Sequence, residues 1–375
     1  MGMFTGSREG QANANLVCRP PERQLKLTYP LRSSFVAIML AAMLFALVGC
    51  GPEQGSSEED APEQDAPEER AAPEPAEAQP LEEEPAGEVV EVGNEPEGVV
   101  ADPETGLVAV GLRDPGQLAL VDGGSGEVVR NVELPESPRH LQLAAPGGPV
   151  LVPAEGADTL VQVSLPEGEI TTETMVGANP HDAAVAPDGR IFVGNEFSDD
   201  TASVIEGGRE IERIEVPVAP GGVAATDDGL VGIIGVRGLE LEVFDASTLE
   251  SLGRVEAGEG PTHLVVGPDN RFYVADTSGG AILVYEASPE PEQIDQISLP
   301  GSPYGIAVDP ERGQLWVTLT EENQVVQLAL EEGTPRELVR YPTVREPNTV
   351  AVDTVSGRVF VTGRADGELQ ILDPQ

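Results

Sequence analysis

Three histidines occur in this chain of 375 residues, and each lies within two positions of a proline that recurs through the sequence. They are His140, His181 and His263, following Pro138, Pro180 and Pro261. Imidazole titrates near neutral pH and binds metals through either ring nitrogen. Three readings follow. The rings could ligate a divalent metal together with a carboxylate such as that of Glu97. They could form a polar rim that faces a ligand. Alternatively, a histidine after the proline is a habit of the repeat, its ring hydrogen-bonding a neighbouring unit. Arg139, Asp182, Tyr304 and Asn348 occupy the same windows and are candidates for the same rim.

Other chemistry is scarce. No HExxH, GxSxG, Walker-type loop or GxGxxG stands in a supporting strand–helix context, and no Ser-His-Asp set is recognisable, so no catalytic residue is assigned. The one lysine is Lys26, which removes Schiff-base chemistry from everything after it. The two cysteines, Cys18 and Cys50, precede the region of repeats, which therefore has no disulfide and no thiolate metal site. Asp199-Asp200 and Asp227-Asp228 lack the alternating spacing of a calcium loop and read as solvated turns. With 66 acidic and 21 basic side chains the formal charge is −45. Such a chain repels nucleic acid and favours cationic peptides or proteins.

The elements that position the histidines follow from the repeat. Its proline stands at 96, 138, 180, 220, 261, 303 and 347, a period of 40–44 residues. A short apolar run comes after each proline, as in Ala183-Ala184-Val185 and Ile306-Ala307-Val308. Next is a turn such as Pro187-Asp188-Gly189, then a second run that is often led by an aromatic residue: Phe192, Tyr273, Trp316, Phe360. Two further alternating runs complete the unit. Four short strands per 40–44 residues predict an all-β fold, a seven-bladed β-propeller of four-stranded blades. The last repeat has three strands, and residues 88–92 (Glu-Val-Val-Glu-Val) supply the fourth, so Val90 and Val92 should pair beside Leu369–Leu372 and remove a free edge. The residues after each proline then converge at one mouth of the central channel.

Together with the Asp-x-x-(Ser/Thr)-x-Glu elements at Asp122–Glu127 and Asp245–Glu250, these repeats resemble the YVTN type found in YncE-like propellers of bacterial and archaeal envelopes. The second and fourth repeats depart from it, with Ala144–Pro149 in place of the usual turn and Ile233-Ile234-Gly235 lacking the aromatic. The resemblance implies a non-enzymatic binding scaffold. Gluconolactonase-type lactonases and streptogramin lyases are also propellers, with a divalent ion in the channel. Similarity to those would draw on Glu97, Asn179, His181, Asn195, His263, Asp276 and Asn348, although no motif matches them one by one. No cofactor is assigned, and Glu97, His181 and His263 are the candidates should a divalent metal bind.

The remaining sequence reads as an address. Residues 35–48 are fourteen apolar residues preceded by Arg19, Arg23, Lys26 and Arg32, the pattern of a signal-peptide h-region behind a basic n-region. The run ends Leu47-Val48-Gly49-Cys50, which resembles a bacterial lipobox and implies lipid attachment at Cys50. Residues 1–49 are thus expected as a lipoprotein signal peptide and 50–87 as a lipidated cysteine with a disordered, acidic, Pro/Glu-rich tether. Residues 88–375 form the propeller, which is expected outside the cytoplasmic membrane, binding a protein, peptide or cell-wall ligand.

Overall fold

A computed structural model of the chain describes residues 71–196, 200–288, 290–331 and 334–374. The apolar run 35–48, Cys50 and the tether up to residue 70 lie outside the described residues, as does Asp199. The described residues form seven antiparallel four-stranded sheets in a ring, a seven-bladed β-propeller, with one short 3-10 turn at Glu155–Ala157. In six of the blades the innermost strand begins on the marker proline itself: Pro96–Ala101, Pro180–Val185, Pro220–Ala225, Pro261–Val266, Pro303–Asp309 and Pro347–Val352. A proline fits there because it has no N–H to offer the ladder.

The second blade differs. Its innermost strand shrinks to Gln142–Leu143, and Pro138 makes only an isolated bridge to Ala154. The departure at Ala144–Pro149 accounts for it, since Gly147 and Gly148 both take positive φ and turn the chain early.

Closure occurs as expected. Glu88–Glu91 pairs antiparallel with Glu368–Leu372 of the seventh blade, with Val90 opposite Leu369. The strand stops at Glu91, and Val92 turns away, donating its N–H to the Gly367 carbonyl.

Seven dry clusters hold the ring, each shared by two successive blades. The aromatic leaders of the second strands lie in them: Phe192 between blades three and four, Tyr273 between five and six, Trp316 between six and seven. Phe360 joins Val99, Val110 and Val121 across the seam between the last blade and the first. Each such buried side chain contributes about 1.5–3 kcal/mol over leaving it in water. The Asp-x-x-(Ser/Thr) elements are turn locks, with Asp122 accepting from the N–H and hydroxyl of Ser125, and Asp245 from Ser247 and Thr248.

Residues 71–87, within the span expected as tether, run along the ring before the closing strand. Ala76 donates its N–H to the Thr320 hydroxyl, Gln79 accepts from the Asn323 amide, and Ala86 exchanges hydrogen bonds with Pro342 and Gln370.

Candidate functional site

Two devices recur in the blades and build the mouth. First, the innermost strands carry a bulge just after the marker proline, for example between Pro180 and Asp182, Pro220 and Gly222, and Pro261 and His263. The extra residue breaks the alternation and re-aims side chains towards the channel. Second, the residue after the second strand donates its N–H to the carbonyl preceding the marker proline. This bond occurs in all seven blades: Arg113 to Glu95, Glu155 to Ser137, Glu196 to Asn179, Val236 to Ala219, Thr277 to Gly260, Thr320 to Ser302 and Arg364 to Glu346. The mouth is thus lined by two sets of seven positions.

Over blades one to three these positions carry charge. Glu97 is buried and takes one guanidinium on each oxygen, Arg113 Nη1 at 3.0 Å and Arg139 Nη1 at 2.9 Å. Arg113 also reaches Glu155 at 2.9 Å, and Arg139 stands 3.7 Å from Glu155 and 3.8 Å from Glu196. Burial works against the charge of Arg139, yet Glu97 and Glu155 hold its pKa above the ordinary value.

Beneath lies a layer of rings. His140 meets His181 edge-on at 4.4 Å and His263 tilted at 4.2 Å, and His263 meets Tyr304 edge-on at 4.6 Å. Burial, then the nearby Arg139 and Arg113, push His140 down to about 3. His181 and His263 are also displaced well below 6.5, chiefly by burial, so all three rings are neutral at physiological pH. His181 Nδ1 lies 2.8 Å from the Gly221 carbonyl of the next blade, so Nδ1 carries the proton and Nε2 the lone pair. Nε2 faces Glu196 Oε2 at 3.4 Å. Burial pushes Glu196 up to about 8, with Arg139 opposing, which leaves a neutral carboxyl able to donate to that nitrogen.

The layer forms one end of a channel cavity of about 250 Å³, whose lining includes His140, His263, Asp182 and the backbone of the innermost strands. Both ring nitrogens of His140 and of His263, and both amide atoms of Asn348, are buried without a hydrogen-bond partner. Asp182 accepts from the N–H groups of Ala183 and Val223, and burial raises it to about 7.

The rim candidates Arg139, His140, His181, Asp182, His263 and Tyr304 are therefore brought to the mouth and channel, whereas Asn348 is buried and lines neither cavity, its carbonyl accepting from the Thr318 hydroxyl. Asn195 and Asp276 serve the framework: Asn195 donates to Thr201 and Ser203, and Asp276 accepts from Glu259, Gly260 and Gly279. Asn179 is a backbone position with φ of 54° before Pro180. The aspartate pairs are turns in their described parts, Asp200 accepting from the Ala219 N–H and Asp228 from the Thr226 hydroxyl. Among the described residues no three His, Cys, Asp or Glu side chains are grouped to hold a metal ion. Of the three metal candidates, Glu97 is taken up by two arginines and His181 Nδ1 by the Gly221 carbonyl, whereas both ring nitrogens of His263 are buried without a partner.

Arg113, Glu155 and Glu196 lie outside the windows that follow the marker prolines. They stand in the column after the second strand, and aligning the repeats on that column would have found them.

No protein-family model matches the chain. Solved structures of similar fold include hydrazine synthase from Kuenenia stuttgartiensis, at 15% identity and a TM-score of 0.65 over 75% of this chain and 96% of that one. Virginiamycin B lyase from Staphylococcus aureus matches at 16% identity and 0.62, over 76% and 98%. A chain of a mitotic checkpoint complex matches at 13% identity and 0.67, over 81% and 97%. At these identities the likeness is one of fold, the β-propeller.

Proposed function

We propose that this protein is a binding propeller of the bacterial cell envelope, anchored through a lipid on Cys50, which takes a small uncharged, hydrogen-bonding ligand in its channel against the histidine layer. One observation carries the reading. The four imidazole nitrogens of His140 and His263 are buried without partners beside a cavity of about 250 Å³. Orphaned buried polar groups cost about 1–3 kcal/mol each, a cost that a ligand or ordered water removes. Neutral imidazoles offer one donor and one acceptor apiece and suit an uncharged ligand. The strongly acidic exterior favours a cationic protein, peptide or cell-wall partner beyond the channel. YncE-like character and a position outside the cytoplasmic membrane belong to the same proposal.

The test compares the full-length protein with His263→Phe, which replaces an unpartnered ring by an apolar one of similar shape. Its folding stability should stay within about 1 kcal/mol of the parent. A panel of small amides, sugars, lactones and cyclic peptides is then screened by thermal shift. A true ligand at a hundredfold excess over Kd stabilises the parent by about 2.7 kcal/mol and leaves the variant unmoved. A panel in which every hit stabilises both proteins equally would sink the reading.

A second reading, a lyase or hydrolase, has one observation in its favour. Glu196 and His181 are in contact with their pKa values driven in opposite directions beside Arg139, the arrangement of an acid–base pair next to a charge stabiliser. Virginiamycin B lyase shares the fold, and a histidine-to-alanine variant of it is catalytically inactive. Turnover of a cyclic depsipeptide or lactone that disappears in Glu196→Gln would move the conclusion to this reading.

A further inference from the structure

The half of the mouth formed by blades four to six carries Val236, Thr262, Tyr304 and Thr320, and residues 72–79 lie across it. Ala72, Pro73 and Glu74 line the remaining gap with Arg139, His181 and Tyr304, and only about 20 Å³ is left free there. Ala72 packs against the cluster holding Val236, and Pro73 approaches Gly260 so closely that a methyl group on Gly260 would stand 3.0 Å from its ring.

Burial along this stretch has a period of three. Ala71, Glu74 and Glu77 are exposed, whereas Ala72, Pro73, Pro75, Ala76 and Ala78 are half-buried. A polyproline II helix has three residues per turn and no internal hydrogen bonds, so its backbone groups remain free to bond outwards. The Ala76 N–H and the Gln79 carbonyl do so, to Thr320 and Asn323. An aromatic ring, small residues and one or two hydroxyl or amide groups are what such a helix needs from a receptor. The triplet Ala-Pro-Glu also occurs three times in the chain, at 61–63, 66–68 and 72–74.

We infer that this half of the mouth is a recognition site for extended alanine/proline segments bearing an acidic residue at every third place, and that residues 72–79 occupy it in cis. The inward positions supply the contacts and the outward glutamates keep the segment solvated. A covalently attached segment competes at an effective concentration near the millimolar range, so the site is closed to a weak ligand in trans. This inference is independent of the channel ligand, since it concerns the opposite side of the histidine layer.

The test uses the full chain and a variant lacking residues 72–79, which keeps the closing strand Glu88–Glu91. The probe is a labelled synthetic peptide with the sequence of residues 71–81, measured by fluorescence anisotropy. The shortened variant should bind it at least tenfold more tightly than the parent. A peptide with glutamate at the inward positions of Pro73 and Ala76 should not bind. Equal affinity for parent and variant overturns the occlusion. Failure of the variant to bind while its thermal transition remains cooperative, or equal binding of the inward-glutamate peptide, overturns the site. None of these results bears on the His263→Phe comparison.

Discussion

The two halves of the mouth are built from the same backbone and do different things. In both, a residue after the second strand bonds to the carbonyl before the marker proline. Over blades one to three that residue is Arg113, Glu155 or Glu196, and with Arg139 they form an ionic network around the buried carboxylate of Glu97. Over blades four to six it is Val236, Thr277 or Thr320, and a stretch of the chain's own sequence lies against Val236 and Thr320. The difference teaches that the repeat fixes where a side chain arrives and only its departures decide what is there. A buried ionic network is stable only while complete, whereas an apolar and hydroxyl surface tolerates uncovering.

The largest expected effect tests that contrast on the charged side. Glu97→Ala leaves Arg113 and Arg139 without their shared carboxylate in a region where Glu97 is 3% exposed. Breaking a buried pair from one side costs about 3–5 kcal/mol. Denaturant unfolding at constant slope would read it out. A cost below about 1 kcal/mol would place the network with solvated surface pairs and erase the comparison.

An intermediate effect comes from Glu196. Its carboxyl ordinarily ionises near 4.5 and in the fold near 8, because burial disfavours the charge. The unfolded chain therefore releases this proton first, and the stability that the group contributes at low pH is lost as pH rises from about 4.5 to 8. Glu196→Gln keeps a donor towards His181 and carries no proton to lose. It should be about 1–3 kcal/mol more stable than the parent near pH 8, the gap narrowing towards pH 4.5. Melting curves across that range check the sign, and a gap that widens at low pH would contradict the neutral carboxyl.

The fold was legible because its cause repeats. Seven prolines, turn locks at Asp122 and Asp245, and aromatic leaders such as Trp316 each recur at one phase of a fixed period, and a missing strand at one end matches a spare one at the other. The site was legible only where it shared that phase. His140, His181 and His263 follow the proline and were found. Glu155 and Glu196 lie in a second column that contains no single residue type, so no pattern advertised it. The stretch 72–79 was harder still. Its composition signals a chain unable to bury a core of its own, but nothing in composition reveals that a groove elsewhere can bury it.

The smallest effect addresses that covered half. Thr320→Val preserves the shape of a fully buried side chain and removes the hydroxyl that accepts from Ala76 and donates to the Ser302 carbonyl. Losing bonds of this kind costs about 0.5–1.5 kcal/mol, several-fold less than the loss expected at Glu97. The two changes also differ in reach. With Glu97 the whole ring should weaken, because its two arginines join the first blade to the second and Arg139 reaches on to Glu196 of the third. With Thr320 the ring keeps its seams, and the loosening should be confined to the covering stretch. Amide exchange separates the cases: Ala76 should exchange several-fold faster in Thr320→Val while the amides of Trp316 and Val317 in the adjacent strand keep their parent rates. Acceleration in that strand as well would mean that the two halves are held in the same way and that the covering segment is part of the fold's support.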